Sequence, residues 1–155
     1  MACFPDDQEP TLQSDPAAEI ASGVARALHD ADHGVLTELP LANSRRADLV
    51  AIDKAGKITI VEIKSSLADF RSDHKWHHYL DYCDLFYFAV NDDFPNDVLP
   101  EDEGLMIADR YGAEILRPAT IRALGAARRK AMLIRFARLA AGRLHNKADQ
   151  FHSSY

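Results

Sequence analysis

RRADLVAIDKAGKITIVEIKSS, residues 45–66, decides the fold. Two apolar runs, ADLVAID over 47–53 and KITIVEIK over 57–64, flank Lys54-Ala55-Gly56. A three-residue loop with glycine third suits a type I turn followed by a left-handed residue, so the pattern predicts a β-hairpin. Closing the turn with Asp53 opposite Lys57 sets Ile52 against Ile58, Val50 against Ile60 and Asp48 against Glu62. Side chains alternate with period two. Asp48, Val50, Ile52, Ile58, Ile60, Glu62 and Lys64 therefore share one face, and Leu49, Ala51, Thr59, Val61 and Ile63 the other. Apolar residues on both faces mark strands covered on both sides.

That register sets two carboxylates opposite each other, about 5 Å apart at Cβ, at the end of an apolar face. Buried like charges must be paired or bind a metal. Lys64 can balance one of them; a divalent cation would balance both. Hard cations such as Mg²⁺ take one or two carboxylates plus phosphate oxygens and water. Asp, Glu and Lys around one point are what metal-assisted phosphodiester hydrolysis requires, with the lysine orienting water or steadying negative charge. The same spacing also suits a salt-bridged strand end, with Lys64 closing onto Glu62. The motif alone leaves both readings open.

Asp48, thirteen intervening residues and then Glu62-Ile63-Lys64 resemble the PD-(D/E)xK nuclease superfamily. The longer strings SRRADLV (44–50), VEIKSSLADF (61–70) and KWHHYLDYCD (75–84) resemble the MmcB-like family of bacterial DNA-repair proteins, over about Glu38 to Leu144. Ala47 stands where the superfamily motif has proline, a position that holds no ligand. The resemblance implies Mg²⁺ or Mn²⁺ on Asp48 and Glu62, with the Ile63 carbonyl as third ligand and Lys64 serving the attacking water. It also implies that a first-helix glutamate, here Glu19, can join the metal site. Many superfamily members carry Gln-x-x-x-Tyr on the helix after the motif. Here Lys75 and Tyr79 stand at those places, so a phosphate contact by Lys75 replaces any glutamine-like role.

The chain has 155 residues, enough for one domain with a real core. No basic, apolar leader opens it, and no stretch suits a membrane span, so the expectation is a cytoplasmic protein. Cys3 and Cys83 are not expected to pair, and no Cys/His spacing suggests zinc. The net charge of −6 is uneven: residues 117–155 carry nine bases and one acid, leaving −14 for the rest. Such asymmetry suits a local polyanion-binding surface, or a solvated basic helix facing acids elsewhere.

Residues 1–15 read as an unstructured lead. Pro16 to Asp32 fits a helix capped by Asp15, with Glu19 in its first turn as a dipole-stabilising acid. Val35 to Leu41 reads as a strand. Its Glu38 is a further carboxylate candidate beside Asp48, although strand acids more often face solvent. Arg45 and Arg46 flank Asp48 and suit either phosphate contact or the turn. Ser66 and Asp69 resemble a capping box opening a helix from Leu67 to Cys83, bent near Ser72. Lys75 and Tyr79 share its face. Trp76 reads as core, and His74 with His78 as a solvated face. Leu85 to Val90 is a buried strand, and Asn91 to Gly104 a solvated acidic loop. A second hairpin spans Leu105–Asp109 and Ala113–Leu116. A long helix runs from Thr120 to Leu144, broken at Gly125, with two apolar stripes and a basic edge of Arg128, Arg135 and Arg138. The segment 145–155 reads as a tail.

The expected fold is α/β: α-β-β-β-α-β with a mixed central sheet, a restriction-endonuclease-like core, plus a hairpin and C-terminal helix over 16–144. The expected function is metal-dependent hydrolysis of DNA phosphodiester bonds in repair, with Glu19 and Glu38 as accessory acids. DNA is the expected partner, without a membrane, and a homodimer or a partner repair protein stays open. The competing reading is a DNA-binding or assembly module of the same fold that does not cut.

Overall fold

The computed structural model describes residues 14–153, so most of the expected lead lies outside the described residues, as does Cys3. The central hairpin forms as its turn chemistry dictates. Asp53 N–H donates to the Lys57 carbonyl, and Asp53 Oδ1 accepts from the N–H groups of Ala55 and Lys57, both at 2.9 Å. Gly56 supplies the left-handed residue at φ 84°. The strands β2 (Arg46–Ile52) and β3 (Ile58–Ile63) pair with Ile52 opposite Ile58 and Val50 opposite Ile60, the expected register.

Four more strands extend this pair. β1 (Gly34–Pro40) lies antiparallel to β2; β4 (Leu85–Val90) and β5 (Gly104–Ala108) follow β3 in parallel; β6 (Ala113–Arg117) closes antiparallel. The result is one mixed six-stranded sheet in sequential order. The helix α1 (Pro16–Asp30), with Asp15 as N-cap and Pro16 in its first turn, covers one face with Ile20, Val24 and Leu28. It meets Leu49, Ala51, Val61 and Ile63. Gly23 lets it approach the second hairpin closely: an added Cβ would lie 2.5 Å from the Gly112 carbonyl oxygen and closer still to that of Asp109. On the other face Val50, Ile58, Ile60, Phe86 and Phe88 lie beneath the 3₁₀ helix Trp76–Tyr82 and the long helix α3 (Ala126–His152). β3 is buried along its whole length between the two cores.

Three expectations need correction. The helix expected from Leu67 to Cys83 does not merely bend near Ser72 but breaks there into two pieces, α2 (Leu67–Ser72) and the 3₁₀ helix. Asp73 breaks it: its Oδ1 accepts from Lys75 N–H at 2.8 Å, a local bond that competes with the helical ladder. Trp76 then turns into the core, stacked on Phe86 and edge-on to Phe88. α3 begins at Ala126 rather than Thr120, because Asp84 takes the N–H groups of Arg122 (by its carbonyl) and Leu124 (by its carboxylate) and holds that segment out of helix. It also continues to His152 rather than ending at Leu144, with His145 and Asp149 paired at i,i+4. Finally, the acidic loop is not simply solvated. Glu103 is buried against Arg122 at 2.9 Å, and Phe94 and Leu99 join the core.

Candidate functional site

The backbone ladder between β2 and β3 ends at Leu49 opposite Val61. At the next position side chains take over. Ile63 N–H donates to Asp48 Oδ2 at 2.8 Å, and Asp48 N–H donates to Glu62 Oε1 at 3.1 Å. Each carboxylate is thus fixed to the other's strand at the level the register assigns. The irregularity has a visible origin. Ala47 joins the same core as Val50, whereas Leu49 joins the other, so alternation fails at Asp48. Level with it on β1, between the pairs Thr37–Leu49 and Leu39–Ala47, Glu38 is left-handed at φ 54°. The two irregularities lie at one level, and β1 and β2 resume pairing beyond it at Leu39–Ala47.

Glu62 is 4% exposed. Burial, then the charge of Asp48, pushes its carboxyl up to about 9. Asp48 is raised too, chiefly by burial. The pair therefore holds on to a proton at neutral pH. A carboxyl whose folded value lies above its unfolded one binds protons more tightly when folded, so folding stability falls as pH rises from about 4.5 toward 9. In chelator, the unfolding free energy from urea denaturation should drop across this window by up to about 1.4 kcal/mol per pH unit. Glu62→Gln should flatten that slope; an unchanged slope would mean that Glu62 ionises normally.

Lys64 is 5% exposed, and its Nζ donates to Asp73 Oδ2 at 2.6 Å. The lysine closes onto Asp73, not onto Glu62 as the salt-bridge reading supposed. Burial opposes ionisation of Asp73, but the bonds from Lys64 and the Lys75 N–H outweigh it and hold the carboxyl below its ordinary value.

These groups line a cavity of about 750 Å³. One side is made by small residues of α1, among them Ala17, Ala18 and Ala21, and another by Asp69, Asp73, Lys75 and Tyr79. Six carboxylates (Asp15, Glu38, Asp48, Glu62, Asp69, Asp73) face three cations (Arg45, Lys64, Lys75) in its lining, which favours a cation. Among the described residues no three His, Cys, Asp or Glu side chains gather closely enough to hold a metal by themselves. The donor set is two carboxylates and the strand backbone. It fits Mg²⁺ or Mn²⁺, which complete their shells with water and phosphate, and does not fit a closed zinc site.

Asp48, Glu62, Ile63 and Lys64 come together as expected, and Arg45, Lys75 and Tyr79 line the same cavity. Tyr79 is a brace: its hydroxyl donates to the Arg46 carbonyl at 3.1 Å, and burial, then the charge of Glu62, pushes it up to about 12. Glu38 lines the cavity, yet its carboxylate is largely exposed, 3.7 Å from Arg46, which is not part of the lining. Glu19 stays in the first turn of α1 and is not in the lining.

The basic edge of α3 does not reach the cavity. Arg128 donates to the Asp81 carbonyl and lies over the Tyr82 ring, Arg135 donates to the Pro40 carbonyl, and Arg138 is exposed. Sequence reasoning missed Asp73, Asp69 as a cavity acid, and Arg143, which donates to the Glu38 carbonyl at 3.2 Å. His74 and His78 are exposed.

Among the described residues no helix is long and apolar enough to cross a membrane. No curated protein matches the chain. A solved structure, the SPO1766 protein of unknown function from Silicibacter pomeroyi, is 41% identical with a TM-score of 0.86, covering 90% of this chain and 95% of that one. The model of the family described as DNA repair protein MmcB-like matches residues 5–151, nearly the whole chain. The chain belongs to the MmcB-like DNA repair protein family.

Proposed function

We propose that the protein is a metal-dependent nuclease with a restriction-endonuclease-like core, hydrolysing DNA phosphodiester bonds. One observation carries this reading: Asp48 and Glu62 are locked to each other's strands at the floor of an open cavity, with Lys64 two residues on. Asp48 and Glu62, with the Ile63 carbonyl, would hold Mg²⁺ or Mn²⁺. That ion supplies charge neutralisation at the phosphate and a more acidic water. To accept it, the carboxylate pair gives up the proton that it otherwise holds. Lys64, fixed by Asp73, presents an ammonium to the incoming water or to the developing negative charge. Arg45 and Lys75 supply cations for the flanking phosphates. Family membership supports a setting in DNA repair.

A DNA-binding module that does not cut is the second reading. It is favoured by Lys64, which is buried and held 2.6 Å from Asp73 Oδ2 as in a structural ion pair. Incubation of labelled single-stranded, duplex and branched DNA with Mn²⁺ separates the two. The nuclease reading expects cleavage by wild type that is lost in Asp48→Asn. Binding without cleavage of any of these substrates would replace it with the second.

A further inference from the structure

α3 carries two apolar faces. Met132, Phe136 and Leu139 pack into the core. A second set, Ile134, Ala137, Ala141, Leu144, Ala148 and Phe151, recurs at alternating spacings of three and four. At 100° per residue these six fall within about 100° of one another. That is the a/d pattern of a helix that packs along another helix. All six are exposed, Leu144 at 71% and Phe151 at 74%. A surface helix needs one apolar stripe against its own core; the second has no cover within the described residues.

We propose that this outer stripe is the interface between two copies of the chain, α3 packed antiparallel against α3 about a two-fold axis. A two-fold contact uses the same patch on both copies, so the stripe must complement itself. It does so when the axis passes level with the midpoint of Ala141 and Leu144. Ile134 then faces Phe151 of the second copy, Ala137 faces its Ala148, and Ala141 faces its Leu144. Every layer joins an a to a d position. Large side chains close the two ends, and alanines between them let the helices approach. Charge agrees with this register. Arg138 comes level with the span between His145 and Asp149 of the second copy on the same flank, and Asp149 is the single acid of α3. On the other flank Lys147 comes level with the span between Phe136 and Ala140, so no like charges are opposed.

Light scattering on the eluting full chain tests this. The expected mass is twice the 17.3 kDa of one copy. Leu144→Glu and Phe151→Glu should each return it to one copy with an unchanged circular dichroism spectrum, because both side chains are exposed. Arg138→Glu should raise the dimer Kd about tenfold, and Arg138→Glu with Asp149→Arg should restore it. A wild-type protein with the mass of one copy at every concentration, or a dimer indifferent to both glutamates, overturns the proposal. A dimer broken by the glutamates but not rescued by the charge exchange overturns the antiparallel register.

Discussion

Lys64→Ala is expected to lower the rate of Mn²⁺-dependent DNA cleavage by about 10²–10³, the usual cost of losing one preorganised electrostatic contact. Mn²⁺ and DNA should still bind, since Asp48, Glu62, Arg45 and Lys75 remain. An interaction made mainly in the transition state lowers kcat far more than it raises KM. The Asp73 contact adds a complication. Lys64 Nζ sits 2.6 Å from a carboxylate whose side chain is only 17% exposed, so the alanine leaves Asp73 without its cation. Lys64→Met with Asp73→Asn removes that difficulty by deleting both charges. If Lys64 serves the reaction, the double variant regains stability but not cleavage. If the pair only holds the fold, it regains both, and the assignment of Lys64 fails. Cleavage at the wild-type rate by folded Lys64→Ala would sink it outright.

Asp84→Ala is expected to cost about 3–5 kcal/mol of folding stability, because it strips a buried ion pair of one partner. Asp84 joins three parts of the molecule at the end of the sheet opposite the cavity. Its Oδ2 accepts from Ile58 N–H at 2.8 Å and its Oδ1 from Leu124 N–H at 2.9 Å. Arg129 from α3 spans both oxygens at 2.7 and 2.6 Å and also reaches the Gly56 carbonyl. Burial opposes ionisation, but the Arg129 and backbone bonds bring the carboxyl down to about 2. A depressed carboxyl stabilises the fold above its unfolded value, near 3.8, and that contribution is lost as pH falls through about 2. Urea denaturation at pH 7 measures the cost. A loss below about 1 kcal/mol would place this cluster among ordinary surface pairs.

The central hairpin and its register were legible because they follow from local rules. The glycine in the 54–56 loop fixed one turn, and period-two alternation fixed which residues share a face. Opposition of Asp48 and Glu62 followed from those two facts alone. What escaped the sequence reading depends on side chains that reach distant backbone. Asp73 looked like one more polar position on an amphipathic helix, yet it breaks that helix and holds Lys64 from nine residues away. Arg128 and Arg135 read as part of a basic edge, yet they bond carbonyls 47 and 95 residues back in the chain. Asp84 delays the start of α3 by taking the Leu124 N–H across 40 residues. No periodicity encodes such contacts. The twist at Asp48 escaped for a similar reason, since Ala47 suits either face by composition and only its packing partners decide.

The surplus of carboxylates in the cavity and the proton held by the Asp48–Glu62 pair make one quantity decisive, the affinity of the pair for a divalent cation. Calorimetric titration of Mn²⁺ into the full chain near pH 7, in two buffers of different ionisation enthalpy, measures affinity and proton release together. Saturable binding of one ion per chain with release of about one proton is expected, because the pair must ionise to coordinate. Asp48→Asn and Glu62→Gln should each weaken that binding strongly, and Glu62→Gln should abolish the proton release. No saturable binding by the wild type, or binding that neither substitution alters, would contradict a metal site on Asp48 and Glu62.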